Sequence, residues 1–160
     1  MTIGRFLGGV AALIWDAGTD KYLLLRRSAQ KDFLSGDWEC VTGRVEQGES
    51  YTQAVLREVQ EEIGARIQIE FIIGVTHFYR GAERPENELL GVIFGCTLQD
   101  GQVASFGEEH SELRWATAAE AEALLPDRHW LREAIRRAEK LKALLPEALR
   151  QEFRTVGFEI

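Results

Sequence analysis

Three glutamates crowd one short stretch of the chain: Glu58, Glu61 and Glu62 in the run AVLREVQEEIGA. Ser50 is followed three residues later by Gln53, the pair that closes a capping box at the start of a helix. Gly64 stands where a left-handed C-terminal cap belongs. The segment Tyr51–Ile63 therefore reads as a helix. On a helical wheel Tyr51, Val55, Leu56, Val59 and Ile63 share an apolar face, and the three glutamates fall within an arc of about 100° beside it. Glu58 and Glu62 are one turn apart, and Glu58 and Glu61 are also neighbours. Like charges at these spacings cost an isolated helix about 0.2–0.5 kcal/mol per pair. Glu62 borders the apolar stripe, where partial desolvation adds to that cost. A divalent cation removes it, and hard carboxylate oxygens suit magnesium or manganese. The plain alternative is a solvated acidic face.

The residues around the helix narrow this choice. From Gly43 to Ala65 the chain reads GRVEQGESYTQAVLREVQEEIGA. Gly43, Glu49, Arg57, Glu58, Glu61, Glu62 and Gly64 supply every fixed identity of the pattern G-x5-E-x7-R-E-U-x-E-E-x-G-U, where U is a bulky aliphatic residue. Val59 fits the first U, and Ala65 is a weak match to the last. In this segment the chain resembles the Nudix hydrolases. The resemblance implies a Nudix-type α/β/α sandwich with a mixed central sheet and a loop-helix-loop catalytic motif. It implies that Glu58 and Glu62 bind magnesium, with manganese as a substitute, and that Glu61 is a further ligand or the base. The backbone carbonyl of Gly43 would complete the metal site, and Arg57 would orient a carboxylate, Glu49 or Glu58. Many relatives add a carboxylate from a later loop as ligand or base. Glu109, with Glu108 as the alternative, stands in a segment of that kind. The activity implied is hydrolysis of a phosphoanhydride bond in a nucleoside diphosphate linked to another moiety. A non-catalytic Nudix-fold module that binds nucleotides or regulates is the alternative. Such modules usually lose a box glutamate, and all four are present here. Gly43, Gly48, Glu49 and Ser50 superficially resemble a phosphate-binding P-loop, but the required lysine is replaced by a carboxylate.

Outside the box, several residues are candidates for substrate contact. Arg26 and Arg27 end a β-rich run, and strand alternation sends them to opposite faces, so at most one meets phosphate. Trp38 either stacks on a ring of the substrate or anchors the loop to the core. His77 and Tyr79 share strand parity and either line a pocket or cover an edge. Phe33 is equally open. His129 and Trp130 begin a late helix and read as packing residues.

These groups need a scaffold. Phe6–Trp15 and Lys21–Arg27 read as strands joined by the turn cluster 16–20, a hairpin. A polar loop covers 30–37, and a short strand over Glu39–Thr42 leads into Gly43. Ala65–Phe78 and Glu88–Leu98 are long β-rich runs separated by a charged loop at 81–87. Leu113–Ala116 is a short strand. Thr117–Leu125 and Arg128–Leu144 read as helices broken by Pro126, and Pro146 starts a last short one. A helix among strands with more helices at the end predicts an α/β domain with both sheet faces covered.

The totals agree with a single domain spanning 1–160. Hydrophobic residues make up 45% and charged residues 28%, ordinary for a globular chain. The formal net charge of -7 argues against general nucleic-acid binding, which needs a basic surface. A small nucleotide or nucleoside diphosphate derivative is the expected partner, and a homodimer is possible. Cys40 and Cys96 sit in apolar runs and read as buried reduced thiols. With no signal-peptide pattern and no run long enough to span a bilayer, no membrane association and a cytoplasmic location are expected.

Overall fold

The first strand, β1 (Leu7–Asp16), is buried on both sides. Val10, Ala12 and Ile14 pack into one core cluster, and Ala11, Leu13 and Trp15 into another. Because side chains alternate along a strand, apolar residues in both registers require a layer on each face. The structure, a computed structural model describing residues 4–29 and 36–160, supplies both layers. Phe33 and most of the predicted loop 30–37 lie outside the described residues.

A tight turn joins β1 to β2 (Lys21–Arg27). The Asp16 carboxylate accepts hydrogen bonds from the backbone N–H groups of Gly18 and Thr19 at 2.9 and 2.7 Å. On its other side β1 runs parallel to β6 (Glu88–Leu98), from Leu7 beside Leu89 to Trp15 beside Thr97. The long β5 (Ile67–Tyr79) pairs antiparallel with β6, and β7 (His110–Ala116) pairs antiparallel with β2. One parallel pair among antiparallel ones makes the sheet mixed, as the sequence predicts.

The predicted strand Glu39–Thr42 divides into two. β3 (Trp38–Glu39) pairs with β2, and β4 (Val41–Arg44) pairs with β1. The cause lies in the hairpin: β1 and β2 are in register only at Trp15–Tyr22 and Asp16–Lys21. The segment 38–44 serves first one strand and then the other, with Cys40 at the changeover.

Helix α1 (Tyr51–Ile63) covers one face. Ser50 and Gln53 form the reciprocal capping box, and Gly64 adopts φ 65° at the C-cap. Ala54, Val55, Val59 and Ile63 are its buried residues. Leu56, expected on that face, is instead 41% exposed, because the buried stripe turns toward Ala54. Ala65, the weak match in the box, is buried in the same cluster. The opposite face is covered by α2 (Ala118–Leu124) and α3 (Trp130–Leu144), whose Ala121, Leu131, Ala134, Ile135 and Ala138 meet Leu13, Trp15, Leu24 and Phe71. His129 caps α3, its Nδ1 accepting from the Leu131 N–H, while Trp130 stays 41% exposed. The resulting α/β/α sandwich is the layering expected.

Helix α4 (Glu147–Val156) buries no residue of its own. It is tied to the sheet by Arg154, which binds the buried carboxylate of Glu70 on β5. Beyond it Phe158 packs edge-on against Phe94 and beside Phe153. Both cysteines are buried and free, and burial raises both thiol pKa values. Among the described residues no helix is long and apolar enough to cross a membrane.

Candidate active site

The glutamate-bearing side of α1 lies against the end of β4. Gly43 permits that approach: a Cβ there would sit 1.9 Å from Cδ of Glu58. The backbone N–H of Arg44 donates to Oε1 of Glu58 at 3.1 Å. Arg57 ties the motif together. Its Nε and Nη2 donate to the two carboxylate oxygens of Glu49 at 2.8 and 2.9 Å. Its Nη1 donates to Glu58 at 2.9 Å and to Glu61 at 3.2 Å, and Nη2 also donates to the carbonyl of Arg44 at 2.9 Å. Arg57 thus engages both carboxylates that the sequence offered as its partner. The fork geometry of guanidinium suits this bidentate grip. Hydrogen bonding from Arg57, then from the Glu46 N–H, lowers the Glu49 pKa to about 2. Glu49 is therefore a locked anion that holds the loop between β4 and α1.

The other glutamates differ in setting. The side chains of Glu58 and Glu62 are only 15% and 12% exposed, whereas that of Glu61 is 59% exposed. Glu62 faces His110, the first residue of β7, whose Nε2 lies 3.8 Å from its Oε2. The same Nε2 is 3.1 Å from Oε1 of Glu39, and Arg27 Nη1 meets both Glu39 oxygens at 3.0 and 2.9 Å. A chain of charged groups therefore runs Arg27–Glu39–His110 through ion-pair and hydrogen-bond contacts, with the Glu62 carboxylate 3.8 Å beyond His110. Among the described residues, no three carboxylate, imidazole or thiol groups are gathered closely enough to hold a metal as they stand. Glu58, Glu61 and Glu62 have separate partners in this arrangement. They share one side of the helix but turn to Arg57 and Arg44, to Arg57 and solvent, and to His110.

The structure sorts the remaining candidates. Arg27 is engaged by Glu39, and Arg26 is exposed, donating from Nε to the carbonyl of Gly36 at 3.1 Å. Of the two readings open for Trp38, the core anchor is the one the packing favours: it is 8% exposed and packed with Cys40 and Leu24 in the core, with the Arg114 guanidinium 4.9 Å from its ring centre. Both demands on an aromatic face, core and cation, are met from within the chain. His77 Nε2 lies 2.8 Å from a Glu88 carboxylate oxygen, the acceptor of the pair, and its ring lies 5.8 Å from that of Tyr79, so this pair forms a unit at the end of β5. Glu109 lies exposed in the turn before β7, its carbonyl accepting from the Ser28 N–H at 3.0 Å. Glu108 is exposed in the same turn. The sequence marks His110 only as a neighbour of Glu109 and singles out neither Glu39 nor Arg44. The signal for His110 was its position, one residue past the carboxylates at the head of a strand. Glu39 carries none, since its partners come from two other elements, β2 and β7.

A mixed sheet between helical layers, with an acidic capped helix seated on a glycine at a strand end, defines the class of this protein: an α/β/α sandwich built around a loop-helix-loop site. A family model described as the NUDIX domain matches residues 5–138, and the chain belongs to the Nudix family. It is 34% identical over 112 residues to the CTP pyrophosphohydrolase of Escherichia coli (strain K12), covering 70% of this chain and 76% of that one. It is 31% identical over 118 residues to a protein named octanoyltransferase from Myxococcus xanthus, covering 74% of this chain. The match spans only 32% of that relative's length. Among solved structures, the MutT protein from Methanosarcina mazei Go1 superposes with a TM-score of 0.69 at 26% identity, covering 89% of this chain and 99% of that one.

Proposed function

We propose that this protein is a magnesium-dependent pyrophosphohydrolase, with manganese as a substitute, acting on a nucleoside diphosphate linked to another group. The observation that carries this reading is the pair Glu58 and Glu62. They are one helical turn apart, both sheltered from solvent, on a helix that Gly43 allows to lie against β4. Sheltered like charges at this spacing favour a counter-cation. The donors suit a hard divalent ion: the carboxylates of Glu58 and Glu62 and the Gly43 carbonyl, with Glu61 and Glu109 as further ligand or base. The glycine cradle at Glu58 supports the same fit, because any side chain at position 43 would fill the space beside that carboxylate. When bound, such an ion supplies charge neutralisation at the diphosphate and lowers the pKa of water.

The protein's own groups do the remaining work. Arg57 fixes Glu49, Glu58 and the Arg44 carbonyl relative to one another. His110, held by Glu39, places its imidazole beside Glu62. Glu61, exposed and next to Arg57, is placed to take a proton from an attacking water. The named activity of the Escherichia coli relative, on CTP, supports a nucleotide substrate.

The test is a nucleotide panel assayed with magnesium for released phosphate or pyrophosphate, in the wild type and in Glu62→Gln. The variant is expected to lose on the order of 10²–10⁴-fold in turnover while keeping its thermal midpoint. Turnover equal to wild type would remove Glu62 from the metal site.

A further inference from the structure

A second charged feature lies beside the site. A cavity of about 350 Å³ is lined by Leu7, Arg44, Arg80, Glu86 and Asn87. It forms where β1 begins, β4 ends and the loop between β5 and β6 folds back. That loop is braced internally. The Arg80 N–H donates to the Asn87 carbonyl at 2.9 Å, and the Asn87 amide donates to the Ala82 carbonyl at 2.8 Å. Gly81 supplies the left-handed turn at φ 90° that reverses the chain after Arg80.

Two exposed cations, Arg44 and Arg80, line this cavity. Among the described residues neither the Arg44 nor the Arg80 guanidinium forms an ion pair or hydrogen bond, although Glu86 shares the lining. Burial, then Arg44, then Arg27, lower the Arg80 pKa. In a chain carrying 26 acidic residues against 19 basic ones, an unpaired arginine couple in a cavity is a placement that a bound anion would relieve. Arg44 also connects the cavity to the chemistry. Its N–H holds Glu58 and its carbonyl is held by Arg57, while its side chain enters the cavity. The volume lies at the low end of the roughly 300–1,000 Å³ of small-molecule sites, enough for a phosphate and part of its attached group.

We propose that Arg44 and Arg80 form a phosphate subsite that holds a phosphate beyond the anhydride being cleaved, so that nucleoside triphosphates are preferred over nucleoside diphosphate sugars. This deepens the function proposed above and rests on it. Guanidinium pairs bind phosphate through parallel hydrogen bonds, whereas the neutral sugar of a diphosphate sugar offers no charge for them.

The experiment compares kcat/KM for CTP and for ADP-ribose, with magnesium, in wild type, Arg80→Met and Arg80→Lys. The CTP to ADP-ribose ratio is expected to fall at least about tenfold in Arg80→Met, with part of it restored in Arg80→Lys. An unchanged ratio overturns the subsite. In parallel, calorimetry with inorganic tripolyphosphate in the presence of EDTA measures the subsite without catalysis. Wild type is expected to bind at least about tenfold more tightly than Arg80→Met. Equal affinity overturns the proposal. If wild type hydrolyses neither nucleotide yet shows this difference in binding, the hydrolase reading fails and the anion site stands.

Discussion

At the scale of single residues, Gly43 and Arg57 decide how the glutamates behave. Gly43 has an ordinary backbone conformation, so its value lies in the missing Cβ rather than in any turn it permits. The atoms an added Cβ would strike belong to the far end of the Glu58 side chain, which can swing away. Gly43→Ala should therefore spare the fold and displace the carboxylate. We expect a thermal midpoint within a few degrees of wild type and a loss of turnover of about tenfold or more, read by kcat/KM and by circular dichroism melting. A large fall in midpoint with unchanged specific activity would show that the glycine serves packing alone. Arg57 acts differently, since its five donors are spread over Glu49, Glu58, Glu61 and the Arg44 carbonyl. It offsets the mutual repulsion that the spacing of those glutamates creates.

At the scale of elements, helix α1 is held at its N-terminus by two caps, one local and one remote. Ser50 and Gln53 are the local cap. The remote one is Glu159, whose oxygens accept from the Tyr51 and Thr52 N–H groups at 2.9 and 2.8 Å. A carboxylate at a helix N-terminus satisfies orphan donors and meets the positive end of the helix dipole. Burial tends to raise the Glu159 pKa, but the hydrogen bonds from Thr52, Ser50 and Tyr51 outweigh it, and the pKa is lowered. The sign follows from linkage: a carboxylate with a lowered folded-state pKa stabilises above its unfolded value and loses that contribution as pH falls through the folded value. Glu159→Gln should cost about 0.5–2 kcal/mol at neutral pH. The difference from wild type should shrink once the pH drops below the ordinary carboxylate range, measured by urea unfolding across pH. A difference that is constant with pH would mean that the charge contributes nothing.

For the whole molecule, the residues after 138 lie beyond the family match yet are bound firmly to the sandwich. Tyr22 on β2 donates to Glu139 on α3 at 2.5 Å, and Lys142 reaches Glu139 and Asp20. The strongest tie is Arg154 to Glu70, since Glu70 is 3% exposed and its other oxygen is bonded to Thr97. Removing one partner of a sheltered ion pair leaves a charge without compensation, which costs more than the pair is worth. Arg154→Met should destabilise the protein by about 3 kcal/mol in urea unfolding, an effect relieved by the double variant Arg154→Met, Glu70→Gln. Equal stability of the single variant and wild type would show that α4 is only loosely attached. Through Phe158 and Glu159 this same C-terminal segment reaches Phe94 and the start of α1, so it braces that helix from outside the matched domain.

What could be read from the sequence follows from how local each cause is. The capping box, Gly64, the strands alternating on both faces and the Nudix pattern each depend on residues a few positions apart. Helix α1, the β-rich runs and the layered α/β class were legible for that reason. The division of Glu39–Thr42 into β3 and β4 was not, because it is set by where β1 and β2 part company. Leu56 shares the apolar arc of the wheel yet is exposed, because a helical wheel gives directions but not the width of the surface the helix meets. The sequence leaves Trp38 open between a stacking ring and a core anchor because exposure is a property of packing, and Cys40, Leu24 and Arg114 surround it only after folding. The sequence by itself determined the chemical inventory of this protein: four box glutamates, an arginine to order them and a glycine to let them close on a strand. Only the tertiary structure decided that His110 and Glu39 stand behind Glu62, and that Arg44 and Arg80 meet in one cavity. Those residues lie far apart along the chain, and nothing local couples them until the sheet brings their strand ends together.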